Sequence, residues 1–228
     1  MKIPLFDIDY TLVKRHPNNK INVMEHVVRK TYELNDPIKK INYAGVGMID
    51  PQIIYEMAVF NGVSKKIASE KLTLALDYLH KHFIAVYDKF VLVELEGGRE
   101  ILERLKKMKI PLGLLTGNIE PVAWKKLEKV NLHHFFNFGA FGNMAMKRSH
   151  LVPIALESLR KKHGNHYAME QLVIIGDSLK DIECAKETRI KVIAVATGKH
   201  SKKELQEAGA DLAIDSLKEK TQILKFLS

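Results

Sequence analysis

Three short stretches carry side chains whose types and spacing suit chemistry. The first, LFDIDYT, places Asp7 and Asp9 one residue apart and follows them with Thr11. The second, LLTGN, ends an apolar run in Thr116, Gly117 and Asn118, and the third, IIGDSLKD, ends one in Asp177 with Asp181 four residues on. Asp7 and Asp9 repel each other, and a third carboxylate brought to the same place makes the repulsion worse. A divalent cation relieves it: Mg²⁺ prefers hard oxygen ligands and usually takes one or two carboxylates, waters and a phosphate oxygen. An isolated D-x-D has an ordinary explanation in loop or capping use. Three such motifs, each at the end of an apolar strand, point instead to one metal and phosphate site.

That site needs elements able to bring the motifs together. The patterning predicts a first strand over Ile3–Asp7 and then a long helical stretch with no convincing strand between Lys14 and Asp88. Asn22 with Glu25 resembles a capping box, and the helix it opens is expected to stop at Asn35-Asp36-Pro37. Asp50-Pro51 reads as an N-cap with proline at the first helical position, and that helix ends at Asn61-Gly62. Ser64 is expected to cap a longer helix running toward Phe83. After Gly97-Gly98 helices and strands alternate, with strands at Pro111–Thr116, Phe138–Phe141, Leu172–Gly176, Val192–Ala196 and Leu212–Ile214. Helices are expected at Arg99–Met108, Pro121–Val130, Pro153–Lys162 and Lys180–Glu187. Ser201 with Glu204 and Ser216 with Glu219 read as capping boxes for the last two helices.

Strands separated by helices imply right-handed crossovers and a parallel sheet covered on both faces. The fold class is therefore α/β, a Rossmann-like parallel sheet core with an inserted all-helical domain. The expected division is 1–13 and 89–228 for the core and 14–88 for the helical insertion. In such a sheet ligands bind outside the carboxyl ends of the strands where strand order reverses, which is where the three motifs would converge.

Composition narrows the class of protein. A chain of 228 residues, 46% hydrophobic, can bury a full core. No apolar stretch approaches the roughly 18–20 residues of a membrane span, and the N-terminal run is broken by Asp7, unlike a signal peptide. Cys184 is the one cysteine, which excludes an intrachain disulfide and suggests the reducing cytoplasm. The net charge of +9 is carried by scattered pairs such as Lys39-Lys40 and Lys202-Lys203. With no basic block interleaved with aromatics, nucleic acid is not the expected partner. The ten histidines are scattered without matching ligand partners.

The three motifs in this order resemble the haloacid dehalogenase superfamily along the whole chain. Its first motif, D-x-D-x-T/V, matches Asp7-Ile8-Asp9-Tyr10-Thr11; its second matches Thr116; its fourth, G-D-x-x-x-D, matches Gly176, Asp177 and Asp181. The helical insertion sits where the family places its cap, and LEGGREILERLKKMKIPLGLLTGN is typical of the phosphoglycolate-phosphatase-like branch. The resemblance implies Asp7 as nucleophile forming an aspartyl-phosphate, and Asp9 as the acid and base for leaving group and water. It implies that the Thr116 hydroxyl and the backbone N–H groups of Gly117 and Asn118 bind the phosphoryl oxygens. Mg²⁺ would be held by Asp7, the carbonyl of Asp9 and Asp177, with Asp181 ordering a bound water. The family's lone basic residue falls on Lys147 or Arg148; an arginine before a similar L-V-P-I-A-L run favours Arg148. Tyr10 stands where many relatives have glycine, either narrowing the mouth or packing on the cap linker. Tyr43–Asp50, with Gly45 and Gly47, is the candidate specificity loop.

The implied activity is a Mg²⁺-dependent phosphatase of a small phosphorylated metabolite, with phosphoglycolate as one candidate, in a monomer or homodimer. A sugar-phosphate mutase on the same site is the alternative, although the cap arginine signature of β-phosphoglucomutases is not evident. A phospho-accepting signalling receiver also uses an aspartyl-phosphate. Its acidic pair and its phosphorylated aspartate lie on different strands, however, which the D-x-D spacing opposes. A catalytically silent binding protein with the same motifs is the remaining reading.

Overall fold

The computed structural model describes residues 1–19, 21–35, 38 and 47–228. Its centre is a strand that is buried at every position, β1 (Ile3–Phe6). Successive strand residues point to opposite faces, so a strand buried throughout must be covered on both sides. The same holds for β4 (Gly113–Leu115), β5 (Phe138–Ala140) and the β-branched run of β6 (Leu172–Gly176). With β7 (Lys191–Val195) and β8 (Leu212–Ile214) they form a six-stranded sheet in the order β5-β4-β1-β6-β7-β8, parallel at each pairing.

Strand order reverses at β1. The chain leaves β1, returns as β4 on one side, steps outward to β5, and crosses back to β6 on the other side. Phe6 is in register with both Leu114 and Ile175, so the ends of the three motif-bearing strands lie level. The ladder runs one residue further: the Asp7 N–H donates to the Ile175 carbonyl at 2.9 Å and the Thr116 N–H to that of Ala140 at 3.2 Å.

Between the first motif and the core's second half lie α1 (Val23–Tyr32), α2 (Asp50–Phe60), α3 (Lys65–Glu70) and α4 (Leu72–Ala85). Their inward faces form a second hydrophobic cluster, with Val27, Val28, Ile54, Ala58, Ala75 and Phe83 buried together. Ile119 and Val122 of the core half also join it. The core half contributes α5 (Gly98–Lys107), α6 (Glu120–Lys129), α7 (Leu151–His163), α8 (Leu179–Thr188), α9 (Lys202–Glu207) and α10 (Lys220–Leu227).

Several local expectations change. The stretch expected to be strand-free contains the end of a strand: β2 (Val13–Arg15) pairs antiparallel with β3 (Leu92–Glu94), Lys14 opposite Val93. Three residues paired with a segment far along the chain leave no local signature. Asn22 does cap α1, its Oδ1 accepting from the Glu25 N–H at 3.2 Å, but the helix ends earlier than expected, at Glu33 in the left-handed region (φ 56°). Ser64 caps a short helix that breaks at Lys71 before α4 begins. Ser201 and Glu204 form their capping box. Ser216 and Glu219 do not: Ser216 Oγ accepts from Lys218 and Glu219 from the Asp215 N–H, both in the turn before α10.

Candidate active site

The level strand ends bring Asp7, Thr116 and Asp177 to one edge, and the loops that follow complete the site. Ligand oxygens of Asp7, Asp177 and Asp181 lie within 4.8 Å of one another. Asp7 is 4% exposed; its Oδ1 accepts from the Ile8 N–H at 2.7 Å and its Oδ2 lies 3.0 Å from Arg148 Nη2. Burial pushes the Asp7 pKa up to about 6, Arg148 opposing the rise and Asp181 and Asp9 adding to it. Asp177 is buried and neither of its carboxylate oxygens has a hydrogen-bond partner. Burial, then the nearby charges of Asp181 and Asp7, push its pKa up to about 9.

Two unpartnered buried oxygens beside two further carboxylates are costly without a cation, and oxygen-rich donors of this kind suit Mg²⁺. The residues therefore fit the group that the resemblance implies. Gly198 belongs to this cradle, since a side chain there would collide with the Asp177 carboxylate. Asp181 is placed differently from Asp177. Its Oδ1 accepts from Arg148 at 2.6 Å, and its Oδ2 from the Ser178 hydroxyl at 2.6 Å and the Ser178 N–H at 3.1 Å. Asp181 thus closes the capping box of α8 and anchors the arginine.

Arg148 and Lys147 are adjacent but point apart. Arg148 is buried in the turn before α7. It reaches Asp7 and Asp181 and also donates to the Leu115 carbonyl at 3.2 Å and the Gly47 carbonyl at 3.0 Å. Burial alone would lower its pKa, but Asp181 and Asp7 outweigh this and hold the guanidinium charged. Lys147 turns to solvent and pairs with Glu187 at 2.8 Å. Gly47 lies against this cluster at φ +101°, where a side chain would strike Ser178. Gly45 lies outside the described residues.

On the other side of Asp7, Thr116 is fully buried, and its Oγ1 accepts from Asn118 Nδ2 at 2.9 Å and from the Asn118 N–H at 3.3 Å. That N–H, expected to face a phosphoryl group, is engaged within the loop. Gly117 is forced by close packing against the Met48 backbone, and its carbonyl accepts from the Asp50 N–H at 2.8 Å. Tyr10 is half-exposed at the mouth and holds φ 56°, a conformation natural to glycine. Its carbonyl accepts from Thr197 Oγ1 at 2.5 Å. A cavity of about 240 Å³ remains between Asp7, Asp9, Gly47, Gly117, Asn118 and Arg148.

One residue with a place in the site, Lys126, escaped the sequence reading, and another, Asp50, has a different role from the cap expected of it. Lys126 donates to Asp9 Oδ1 and Oδ2 at 2.8 and 2.6 Å and to Asn118 Oδ1 at 2.7 Å. Burial would raise the Asp9 pKa, but the Lys126 ammonium and the Asn118 amide outweigh it and hold Asp9 below the ordinary carboxylate value. A signal was present: Lys126 falls on the buried face of α6 with Val122, Ala123 and Leu127. The other is Asp50, which does not cap its own helix. It is buried, and its Oδ2 accepts from the Ile119 N–H at 2.8 Å, tying the insertion to the start of α6. Burial pushes its pKa up to about 7, opposed by Lys126 and that N–H.

Comparison with known proteins points to one family. A family model for haloacid dehalogenase-like hydrolases matches residues 4–195. The chain is 28% identical over 226 residues to a phosphoglycolate phosphatase of Pseudomonas savastanoi pv. phaseolicola, covering 95% of this chain and 77% of that one. It is 30% identical over 130 residues to a glyceraldehyde 3-phosphate phosphatase of Methanocaldococcus jannaschii, covering 55% of this chain and 54% of that one. Among solved structures, a predicted phosphatase from Clostridium acetobutylicum superposes with a TM-score of 0.70 at 22% identity over 98% of both chains. The chain belongs to the haloacid dehalogenase-like hydrolase family, as a phosphatase similar in sequence to phosphoglycolate phosphatases. Among the described residues no helix is long and apolar enough to cross a membrane.

Proposed function

We propose that the protein is a Mg²⁺-dependent cytoplasmic phosphomonoesterase of a small phosphorylated metabolite, acting through an aspartyl-phosphate on Asp7. In this reading residues 14–88 form a cap over a core made of 1–13 and 89–228. The observation that carries it is the pair of unpartnered Asp177 oxygens beside an Asp7 carboxylate that Arg148 holds at 3.0 Å.

Asp7, Asp177 and the carbonyl of Asp9 would hold the cation, which when bound neutralises the acidic cluster and shields the phosphoryl oxygens. Asp7 is fixed by the Ile8 N–H, leaving its other oxygen beside Arg148 to attack phosphorus in line. The bond to the leaving oxygen breaks, and the proton that oxygen needs arrives on the phosphate ester as its monoanion and passes through the ionised Asp9 carboxylate. Asp9 then takes a proton from water, whose oxygen attacks the phosphoryl group, releasing inorganic phosphate and Asp7. Arg148 and Thr116 stabilise the transferring oxygens, which is most of what phosphoryl transfer asks of a protein. Phosphoglycolate is a candidate substrate because curated relatives carry that name.

The test is turnover of p-nitrophenyl phosphate with Mg²⁺, with EDTA and with Asp7→Asn. Activity should vanish with EDTA, return with Mg²⁺, and be absent in a folded Asp7→Asn variant. Substantial turnover by Asp7→Asn removes it from the nucleophile role.

A further inference from the structure

A second cavity adjoins the phosphoryl chamber. It measures about 400 Å³ and shares Asp9, Asp50, Ile53 and Asn118 with its neighbour, so the two meet across the Asp9 carboxylate. Its depth lies within the hydrophobic cluster of the helical insertion, walled by Met24, Met57, Leu79, Phe83, Phe90 and Val122. The volume falls in the range of roughly 300–1,000 Å³ typical of small-molecule sites.

The polar groups at the junction are already matched. An ammonium has three donors, and those of Lys126 meet three acceptors, both oxygens of Asp9 and Oδ1 of Asn118. Asp50 is engaged by the Ile119 N–H. Arg15, the other cation on the wall among the described residues, is exposed, with its guanidinium 4.9 Å from the centre of the Phe90 ring. Apart from Arg15, whose charge also acts on Asp9, the interior offers apolar surface and sulfur, which favours a hydrocarbon body in its depth.

Resting on the phosphatase reading above, we propose that this cavity receives the leaving alcohol, and that the preferred substrates are phosphomonoesters of arylalkyl or branched aliphatic alcohols. The phosphate occupies the chamber at Asp7 and Arg148, the ester oxygen lies at Asp9, and the hydrocarbon body fills the space between Met57, Phe83 and Val122. A two-carbon acid such as glycolate leaves most of that space empty and sets its carboxylate against apolar walls.

The experiment compares kcat/KM for 2-phenylethyl phosphate, methyl phosphate and phosphoglycolate, in the parent and in Val122→Phe, which fills the cavity. The phenylethyl ester should exceed both small esters by at least about tenfold, and Val122→Phe should cut the phenylethyl-to-methyl ratio by a similar factor. Phosphoglycolate as the better substrate, or a ratio that Val122→Phe leaves unmoved, overturns the inference while the phosphatase reading stands. If no ester is turned over, that reading fails, and calorimetric titration with 2-phenylethanol decides the cavity separately. Binding that Val122→Phe abolishes supports the inference, and no binding to the parent overturns it. Should Val122→Phe not fold, Met57→Phe tests the same wall from α2.

Discussion

The Lys126 ammonium lies 2.6 Å from one oxygen of the Asp9 carboxylate and 2.8 Å from the other. The pair joins the first motif to a helix more than a hundred residues away and fixes the orientation of the proposed acid and base. Removing the ammonium leaves burial as the dominant influence on Asp9, so its pKa rises. In Lys126→Met, kcat should fall by up to about a hundredfold, and the limb of the pH profile governed by Asp9 should move to higher pH. Lys126→Arg should recover part of the loss. Unchanged limb positions in Lys126→Met contradict the pairing's role.

Arg148 and Lys147 should separate cleanly. Arg148→Ala removes the group that spans Asp7, Asp181 and the Gly47 carbonyl. A loss of transition-state stabilisation of about 10²–10³ in kcat is expected. The Lys147 pair with Glu187 is exposed, and such pairs contribute about 0–1 kcal/mol. Lys147→Ala should therefore match the parent in both kcat and Tm. Equal losses in the two variants, measured side by side, would reverse this assignment.

Asp177 predicts a pH dependence for the metal-free chain. Its pKa is about 9 when folded against an ordinary 3.8. The folded state therefore binds the proton more tightly than the unfolded state over that interval. Stability is full below the unfolded value and declines as pH rises toward 9, by at most about 1.4 kcal/mol per pH unit. Asp7 and Asp50, raised to about 6 and about 7, add to the slope at lower pH. Urea melts in EDTA should therefore show the Asp177 contribution between about pH 7 and 9, and Asp177→Asn should flatten that interval. Excess Mg²⁺ should raise Tm in the parent, since a ligand that binds only the native state stabilises it, and should not do so in Asp177→Asn.

Tyr10 tests a backbone argument. A side chain in the left-handed region costs roughly 1–2 kcal/mol, and glycine's greater freedom when unfolded takes back roughly 0.5–1. Tyr10→Gly should therefore be neutral to about 1.5 kcal/mol more stable by denaturant titration. A clear loss of stability would mean that the half-exposed ring packs more than its position at the mouth indicates.

What could be read without coordinates was whatever nearby residues determine. The buried runs IPLF and LVIIG and the caps at Asn22, Ser64 and Ser201 depend on contacts within a few positions. The motif spacings around Asp7, Thr116 and Asp177 are equally local, and parallel strands of matched register then bring those ends level. The β2–β3 ribbon, the service of Asp50 to α6 and the capture of Asp9 by Lys126 depend on segments distant in the chain. So does the parting of Lys147 from Arg148, because adjacent side chains must diverge and only the packing around them selects which one is buried. The sequence alone thus determined the α/β core and the order of its acidic motifs, since periodicity and spacing are properties of neighbours. Tertiary structure alone decided which cation meets which carboxylate and what space lies behind Asp9, because both follow from how remote elements pack.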